Sequence, residues 1–224
     1  MQNQYGTWLI RNDAINLSLL RKPNVTFGAN GRSPTYPADG LMVAWGSSSY
    51  VGRGAMDTFA FGPANTTVPA YVFGLPIAPA GSGFGMQLWT DTVPQHLAFD
   101  ARLKPAKAIA SIDEPFPYAN TTNTLTKTYP TGRSYAVAMG SPPFYRRLVL
   151  TPDDRPGFPP GTFFWYEHYY YAVASRVSGG TIQFQWQQTD YVDMRGEESL
   201  QPQFIPPEVG TSQLLAHIID VTGY

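Results

Sequence analysis

The stretch that decides the fold is residues 163–188, FFWYEHYYYAVASRVSGGTIQFQWQQ. Seven of its first nine residues are aromatic, and after Gly179 and Gly180 apolar residues alternate with glutamine. A period of two places successive side chains on opposite faces of a strand, and Gly-Gly between two such runs indicates a tight turn. The sequence therefore predicts a β-hairpin with a type I′ turn, in which both glycines take a positive φ. The predicted pairs are Val177 with Ile182, Ser175 with Phe184 and Val173 with Trp186.

The two faces of this hairpin differ in polarity. Its polar face sets Arg176, Ala174 and Ala172 against Gln183, Gln185 and Gln187. The first strand nevertheless carries large aromatic side chains on both faces over residues 163–171. A strand that is apolar on both faces is buried on both faces. We therefore expect another protein chain to cover the second face, with one of the long loops of this chain as the alternative.

Glycine and proline, 21 of each, punctuate the chain, and no segment keeps an amphipathic helical period for three turns. Proline inside a helix costs about 3 kcal/mol, so the sequence predicts little helix. Short apolar runs with turn signals at spacings of about 8–12 residues are typical of a β-sandwich or barrel. We expect one antiparallel all-β domain, a sandwich or barrel-like fold, over residues 1–224, with a weak break near 114–131.

Twelve strands and three long loops are predicted. The strands are 5–10, 15–20, 41–45, 70–73, 85–90, 96–99, 106–112, 134–139, 146–150, 163–177, 181–191 and 214–222. The long Gly/Pro-rich connections are 21–40, 46–69 and 114–132. Loops of this length in a compact domain are usually functional or become ordered against a partner.

Composition excludes several classes of function. Charged residues make up 14% of the chain, against about 25% in ordinary soluble domains, and the formal net charge is -1. Nucleic-acid binding needs clustered Lys and Arg, and membrane insertion needs an apolar run of about 18 residues; the sequence contains neither. We expect no signal peptide, because no basic segment followed by an apolar one opens the chain. The lack of cysteine excludes disulfides and thiolate metal sites and fits folding in a reducing cytoplasm.

Side chains with catalytic or metal-binding chemistry form no recognisable site in the sequence. The three histidines are not paired at metal-ligand spacing. Glu167 and His168 are neighbours in a predicted strand, so they point to opposite faces and do not form a catalytic pair. The adjacent carboxylates at 153–154 and 197–198 lack the facing geometry of a glycosidase. We therefore predict no enzyme activity, no catalytic residue, no cofactor and no metal.

Aromatic side chains are the remaining candidates for function. Rings of this kind give large, rigid contact area and stack on sugars. They lie on predicted long loops and on the hairpin, and core packing is the alternative for each of them. The candidate contact surface consists of Trp45, Tyr50, Phe164, Tyr166, His168 and Tyr170.

One short segment in the middle of the chain predicts a structural corner. Asp100 and Arg102 lie two residues apart, hence on one side of a strand that continues through them, where we expect each to pair at the surface with the other or with a neighbouring residue. Such a surface pair contributes about 0–1 kcal/mol. Pro105 then ends strand pairing locally.

Three segments have an order that is familiar from a known family. They are QYGTWLIRNDAINLSLL at 4–20, HLAFDARLKPAKAIASI at 96–112 and LLAHIIDVTGY at 214–224. The matching residues are Phe99, Asp100, Arg102, Leu103 and Lys104 in the middle, and Ile219, Asp220, Val221 and Thr222 at the end. In order and spacing these segments resemble a poorly characterised family of tail proteins from tailed bacteriophages and prophages.

The resemblance implies a structural subunit of a phage tail, at the tail tip, the baseplate or the fibre attachment, made in the host cytoplasm and carried in the virion. It implies other tail proteins as partners, a homo-oligomer with a trimer favoured or a hetero-assembly, and a host-surface receptor as a further contact. It brings no catalytic residue. The alternative function is a carbohydrate-binding module with aromatic platforms. A polysaccharide-cleaving enzyme is the weakest alternative, because no facing carboxylate pair is available.

Overall fold

A computed structural model describes residues 17–33, 40–54, 59–77, 86–90, 94–118, 123–140, 143–153, 157, 163–195, 208–210 and 212–224. At 150–153, 163–166, 191–195 and 208–210 the backbone alone is described. These residues form antiparallel strands and no helix, which confirms the all-β class, and none of them belongs to a helix able to span a membrane. In chain order the strands are β1 (Ser18–Arg21), β2 (Asn24–Thr26), β3 (Arg32–Ser33), β4 (Met42–Trp45), β5 (Gly52–Arg53), β6 (Ala60–Phe61), β7 (Thr67–Gly74), β8 (Gln87–Trp89), β9 (Leu97–Asp100), β10 (Ala108–Pro115), β11 (Thr124–Thr128), β12 (Tyr135–Met139), β13 (Phe144–Asp153), β14 (Phe163–Ser178), β15 (Thr181–Arg195), β16 (Glu208–Gly210) and β17 (Gln213–Asp220).

Two large sheets enclose the main core. One has the order β1-β7-β4-β12-β17-β10, with β2 also paired to β7, and the other has the order β11-β15-β14-β13-β16. Apolar side chains on alternate positions of both sheets face each other between the layers, as the period of two requires. Central members of this core are Val137, Leu214 and Ile218 from the first sheet and Ile182, Phe184 and Trp186 from the second. The architecture is therefore a β-sandwich.

The hairpin of β14 and β15 has the predicted register. Val177 pairs with Ile182, Ser175 with Phe184 and Val173 with Trp186. The prediction of a type I′ turn is wrong, because Gly179 has a φ of 56° whereas Gly180 has no positive φ. Gly180 is required for a different reason: a Cβ atom there would lie 2.2 Å from the carbonyl oxygen of Tyr129.

The predicted long loops contain short strands, which corrects the sequence-based assignment. β2 and β3 lie within 21–40, β5 and β6 within 46–69, and β11 within 114–132. β2, β3, β5 and β6 have only two or three residues, too few to show an alternation, so no local pattern predicts them. β11 has five residues and alternates in burial, and it pairs with β15 from within a segment rich in threonine and asparagine that was predicted as a loop. The predicted strand at 5–10 lies outside the described residues, and the other eleven predicted strands each overlap an observed one.

A third layer covers the outer face of β14. β5 and β6, with β3, form a small sheet, and the Phe61 side chain packs on the buried side chains of Ala172 and Ala174. Val51 and Ser175 exchange two backbone hydrogen bonds, with N···O distances of 2.9 and 3.0 Å. We expected a second protein chain to cover this face, with a long loop of the same chain as the alternative. At Ala172 and Ala174 the alternative is found, because the cover comes from the connection between β4 and β7.

The described parts of the three segments that carry the family resemblance, which for the first segment are residues 17–20, meet at one corner of the first sheet. The connecting backbone hydrogen bonds run from Leu19 N–H to Lys104 O (2.7 Å), from Ala106 N–H to Leu17 O (2.7 Å) and from Asp220 N–H to Lys107 O (2.9 Å). The Tyr224 hydroxyl also donates to the Pro105 carbonyl oxygen. We call this unit, residues 17–19, 104–107 and 220–224, the three-segment corner.

Beside this corner, Asp100 and Arg102 pair as predicted, but not as two residues of one exposed strand. β9 ends at Asp100, and the following turn brings the Arg102 side chain back to it, with Nη2 donating to Oδ2 over 2.6 Å. Asp100 is 1% exposed, so the prediction of a surface pair is wrong. Hydrogen bonds from Arg102, and one from Gln87, hold the pKa of Asp100 well below its usual range despite burial.

The turn geometry predicts that Gly179→Val lowers the free energy of unfolding by on the order of 1–3 kcal/mol, because a β-branched residue resists a positive φ. Gly140→Val is the matched control, since Gly140 has no positive φ and a Cβ there would meet no atom within 4 Å. Urea unfolding of both variants measures the difference. Equal unfolding midpoints for the two variants would contradict the assignment of the turn.

A second prediction concerns acid stability. Because the folded-state pKa of Asp100 is depressed, its contribution to stability is complete at neutral pH and is lost as the pH falls below about 3.9, the value for an unperturbed Asp. We expect Asp100→Asn to be less stable than the parent at neutral pH, with a gap that narrows in acid. Asp113→Asn, at an exposed carboxylate, is the control. Unfolding curves recorded across this pH range test the prediction, and a constant gap would disprove it.

Candidate functional site

A polar groove opens where the third layer meets the outer face of the hairpin. It has a volume of about 450 Å³ and is lined by residues 30–32, 48–50, 61–63 and 187–189 together with Arg176. We call it the Tyr50 groove. Its volume falls within the range of small-molecule sites, about 300–1,000 Å³. Its walls carry mainly hydroxyl, amide and guanidinium groups, so it suits a polar ligand.

A tight turn forms one wall of the groove. Gly31 has a φ of 72°, and a Cβ there would lie 2.7 Å from the Gly62 carbonyl oxygen, so only glycine fits. The Asn30 side chain accepts a hydrogen bond from the Arg32 N–H over 3.0 Å. This Asx-type contact fixes the turn and directs the chain into β3.

Arg32 is fully engaged in holding the groove together. Its guanidinium forms an ion pair with Asp190, donates to the Thr189 carbonyl oxygen over 2.9 Å and lies 4.9 Å from the centre of the Phe59 ring. These contacts join the turn at one wall to β15 at the other. Arg32 is therefore a structural residue of the groove.

A β-bulge in β15 brings Asp190 to this face of the sheet. Tyr171 pairs with Gln188 and Tyr170 pairs with Asp190, so Thr189 is an extra residue. If the strands paired in regular register, without the bulge, Asp190 would lie opposite Tyr169, whose side chain packs against the main core, and would point into the sandwich. Bulges commonly re-aim side chains beside functional sites, and this one supplies the partner of Arg32.

Arg176 has a different environment from Arg32. Its guanidinium carbon lies 4.9 Å from the centre of the Tyr50 ring, and its Nε donates to the Gln183 side-chain oxygen over 2.5 Å. No carboxylate in the described part of the chain pairs with it. In the groove the charge of Arg32 is thus neutralised by Asp190, whereas the charge of Arg176 is not neutralised by any carboxylate among the described residues.

The predicted contact residues do not form one surface. Tyr50 lies in the groove, partly exposed, and Tyr170 lies half-buried on the same outer face of the hairpin. Trp45 is 2% exposed and packs near Phe27, with ring centroids 6.5 Å apart, so its assignment to a contact surface is wrong. Phe27 comes from a segment predicted as a loop, so no local pattern indicates that it covers Trp45. The side chains of Phe164 and Tyr166 lie outside the described residues.

His168 is also buried, at 6% exposure, so its assignment to the contact surface is wrong. Its ring lies beside Tyr170, while Glu167 accepts from the Tyr169 hydroxyl over 3.2 Å, which confirms that Glu167 and His168 point to opposite faces. The His168 Nδ1 atom is buried and makes no hydrogen bond. Burial lowers the pKa of His168, and the nearby positive charge of Arg146 lowers it further.

Arg32, Arg176 and Asp190 line or support the groove and are not among the residues predicted from the sequence. Arg176 had a usable signal, because it is the charged residue among the alanines and glutamines of the hairpin's polar face. Arg32 and Asp190 had none, since they are far apart in the chain and depend on the bulge at Thr189.

One serine–histidine contact lies outside the groove. The Ser111 hydroxyl and His217 Nδ1 are 2.9 Å apart on the paired strands β10 and β17, and both residues are exposed. A nucleophilic triad needs a carboxylate that orients the histidine. Among the described residues no Asp or Glu hydrogen-bonds to His217, and no group of three potential metal ligands occurs. We interpret the pair as a surface hydrogen bond.

Comparison of the chain with protein-family models, with curated proteins and with solved structures finds no match. The site is therefore interpreted from its geometry.

The environment of His168 predicts a pH effect on stability. Since its folded-state pKa is lowered, the unfolded chain binds the proton more readily, and stability falls as the pH drops below about 6.5. We expect the free energy of unfolding of His168→Phe not to fall in mild acid. At neutral pH it should equal that of the parent or exceed it by about 1–3 kcal/mol, because the variant lacks the unpaired buried nitrogen. His96→Phe, at an exposed histidine, is the control.

Thermal unfolding between neutral and mildly acidic pH measures both effects. A large loss of stability in His168→Phe at neutral pH would show that the imidazole makes a required polar contact.

Proposed function

We propose that this chain is a structural subunit of a bacteriophage tail, at the tip, the baseplate or the fibre attachment. The observation that carries the proposal is the three-segment corner. The described parts of segments that are far apart in the sequence, and that resemble the tail family in order and spacing, pack there through backbone hydrogen bonds and through the hydrogen bond from the Tyr224 hydroxyl to the Pro105 carbonyl oxygen. Chance matches have no reason to converge, whereas the matched parts of a shared fold do.

Exposed apolar side chains support a role in assembly. Leu41 is 68% exposed, Leu75 50% and Ile77 70%, and they lie near the end of β7, where the Leu20 side chain covers Gly74. Together with a charged content of 14%, this exposure is typical of a subunit that has neighbours. We favour a homotrimer, by analogy with tail fibres, and attachment to another tail protein is the second form of assembly. The subunit acts without catalysis and is carried in the virion.

Carbohydrate binding is the second candidate function, and the Tyr50 groove is the observation that favours it. A polar groove with an aromatic ring and several amide groups matches the chemistry of a sugar ligand. The two functions are compatible, because a tail subunit near the tip meets the host surface.

Antibody labelling of intact particles tests the location. We expect an antibody raised against the chain to label the distal tail in electron micrographs, and crosslinking of purified tails to join the chain to itself or to another tail protein. Light scattering of the purified chain should give three times its mass of 24.7 kDa if the homotrimer forms without other proteins.

Paired variants locate the assembly contact. Leu41→Asp combined with Ile77→Asp should lower the assembled fraction, because charge is costly in an apolar contact. Ile109→Asp, at an exposed apolar residue on β10, should not. Absence of the chain from purified particles would reject the tail assignment, and a stable monomer without neighbours in the tail would reject the assembly role.

A further inference from the structure

The uncompensated charge of Arg176 has a direct chemical consequence. Its Nε donates to Gln183 and its guanidinium carbon lies over the Tyr50 ring, and neither of its two Nη nitrogens makes a hydrogen bond among the described residues, so both remain available for a ligand. An arginine fork of this kind binds a carboxylate with two parallel hydrogen bonds. Arg176 therefore offers an anion site within the Tyr50 groove.

The fork is held in place before any ligand binds. A side chain as long as arginine loses rotamer entropy when it is fixed, and that loss weakens binding. The contacts with Tyr50 and Gln183 have already restricted Arg176 in the folded protein. Backbone bonds between Val51 and Ser175, the neighbours of Tyr50 and Arg176 in the chain, fix the positions of both side chains.

Other groups along the groove suit a ligand with many hydroxyls. The Gln187 side-chain amide donates to the side-chain oxygen of Gln185 over 3.3 Å, and its own side-chain oxygen is available to accept a hydrogen bond. The side chain of Gln188 is exposed. Ser48 and Ser49 also line the groove. Side-chain amides and hydroxyls both donate and accept hydrogen bonds, as the hydroxyls of a sugar do. A peptide usually binds at a sheet edge or in apolar pockets, and the groove is instead a polar cleft.

We propose that the Tyr50 groove binds a carboxylated sugar, such as a uronic acid residue of a surface polysaccharide, with Arg176 pairing to the carboxylate. The amides and serine hydroxyls around it bind the sugar hydroxyls. This rests on the proposed function in one respect: it takes the ligand to be a polysaccharide of the host surface.

Direct binding measurements with the full chain test the proposal. Saturation-transfer NMR and calorimetry are carried out with glucuronate and with its neutral counterpart, glucose. We expect glucuronate to bind more tightly, by about tenfold or more, since a hydrogen bond to a charged group contributes about 1.5–3 kcal/mol. Glucuronate binding should also weaken as salt is added.

Variants identify the group that selects the acid. Arg176→Gln should lose about tenfold or more in affinity for glucuronate and almost none for glucose. Arg176→Lys should recover part of the loss, because it keeps the charge without the fork. Arg147→Gln, which removes the same charge from an exposed position on β13, should bind as the parent does. Thermal unfolding confirms that each variant is folded.

Each of several results would overturn the proposal: equal affinity for glucuronate and glucose, no binding by the folded parent chain, or unchanged binding in a folded Arg176→Gln. Binding of a phosphodiester polymer in place of glucuronate would assign the groove to a different ligand. The tail assignment is tested separately. Labelled tails without sugar binding would reject this inference alone, and sugar binding by a chain absent from tails would reject the tail assignment alone.

Discussion

The two hydrogen bonds between Val51 and Ser175 are the contact on which the layered structure depends. β14 is paired by β15 along one edge, and β13 pairs its other edge only as far as Ala172. Beyond that point the free edge is taken up by Val51, which brings the connection between β4 and β7 over the outer face of the hairpin. The side chains of Ala172 and Ala174 are small, so the Phe61 ring packs directly on them. A Cβ atom at Gly52 would collide with the Phe61 ring and with the Val173 carbonyl oxygen, so glycine there lets the two layers pack closely. A sheet edge that would otherwise expose unpaired amides is thereby closed.

The same contact builds the groove. Tyr50 precedes Val51 and Arg176 follows Ser175, so a bridge between the two central residues sets their neighbours side by side. The stacking of Arg176 on Tyr50 is therefore a consequence of backbone pairing. The opposite wall depends on a second backbone feature, the bulge at Thr189, which turns Asp190 towards Arg32. The bridge thus sets the position of Arg176, and the bulge sets the position of Asp190 beside Arg32.

Local information was enough to predict the hairpin and insufficient for the site. The alternation after Gly180 and the glycine pair specify the register within a single stretch, and every predicted pair is found. The third layer joins segments of two residues that are far apart in the chain, and no periodic signal marks them. Trp45 illustrates the difficulty: its strand was predicted, but its burial depends on Phe27, which lies in a segment without a strand pattern. Of the aromatic residues predicted to form a contact surface, Tyr50 lines the groove, whereas Trp45 and His168 are buried.

The two arginines of the groove differ in what their contacts do. Arg32 has a carboxylate, a carbonyl oxygen and a ring as partners, and these contacts close the wall between β3 and β15. Arg176 has a ring and an amide, which fix its position but leave its charge unbalanced. If Arg176 served only in packing, a neutral side chain could replace it, because only the aliphatic part of an arginine covers apolar surface. Holding a full positive charge rigidly in a polar cleft contributes little to folding and much to the binding of an anion. The unbalanced charge of Arg176 is accordingly the feature of the groove on which the proposal of anion recognition rests.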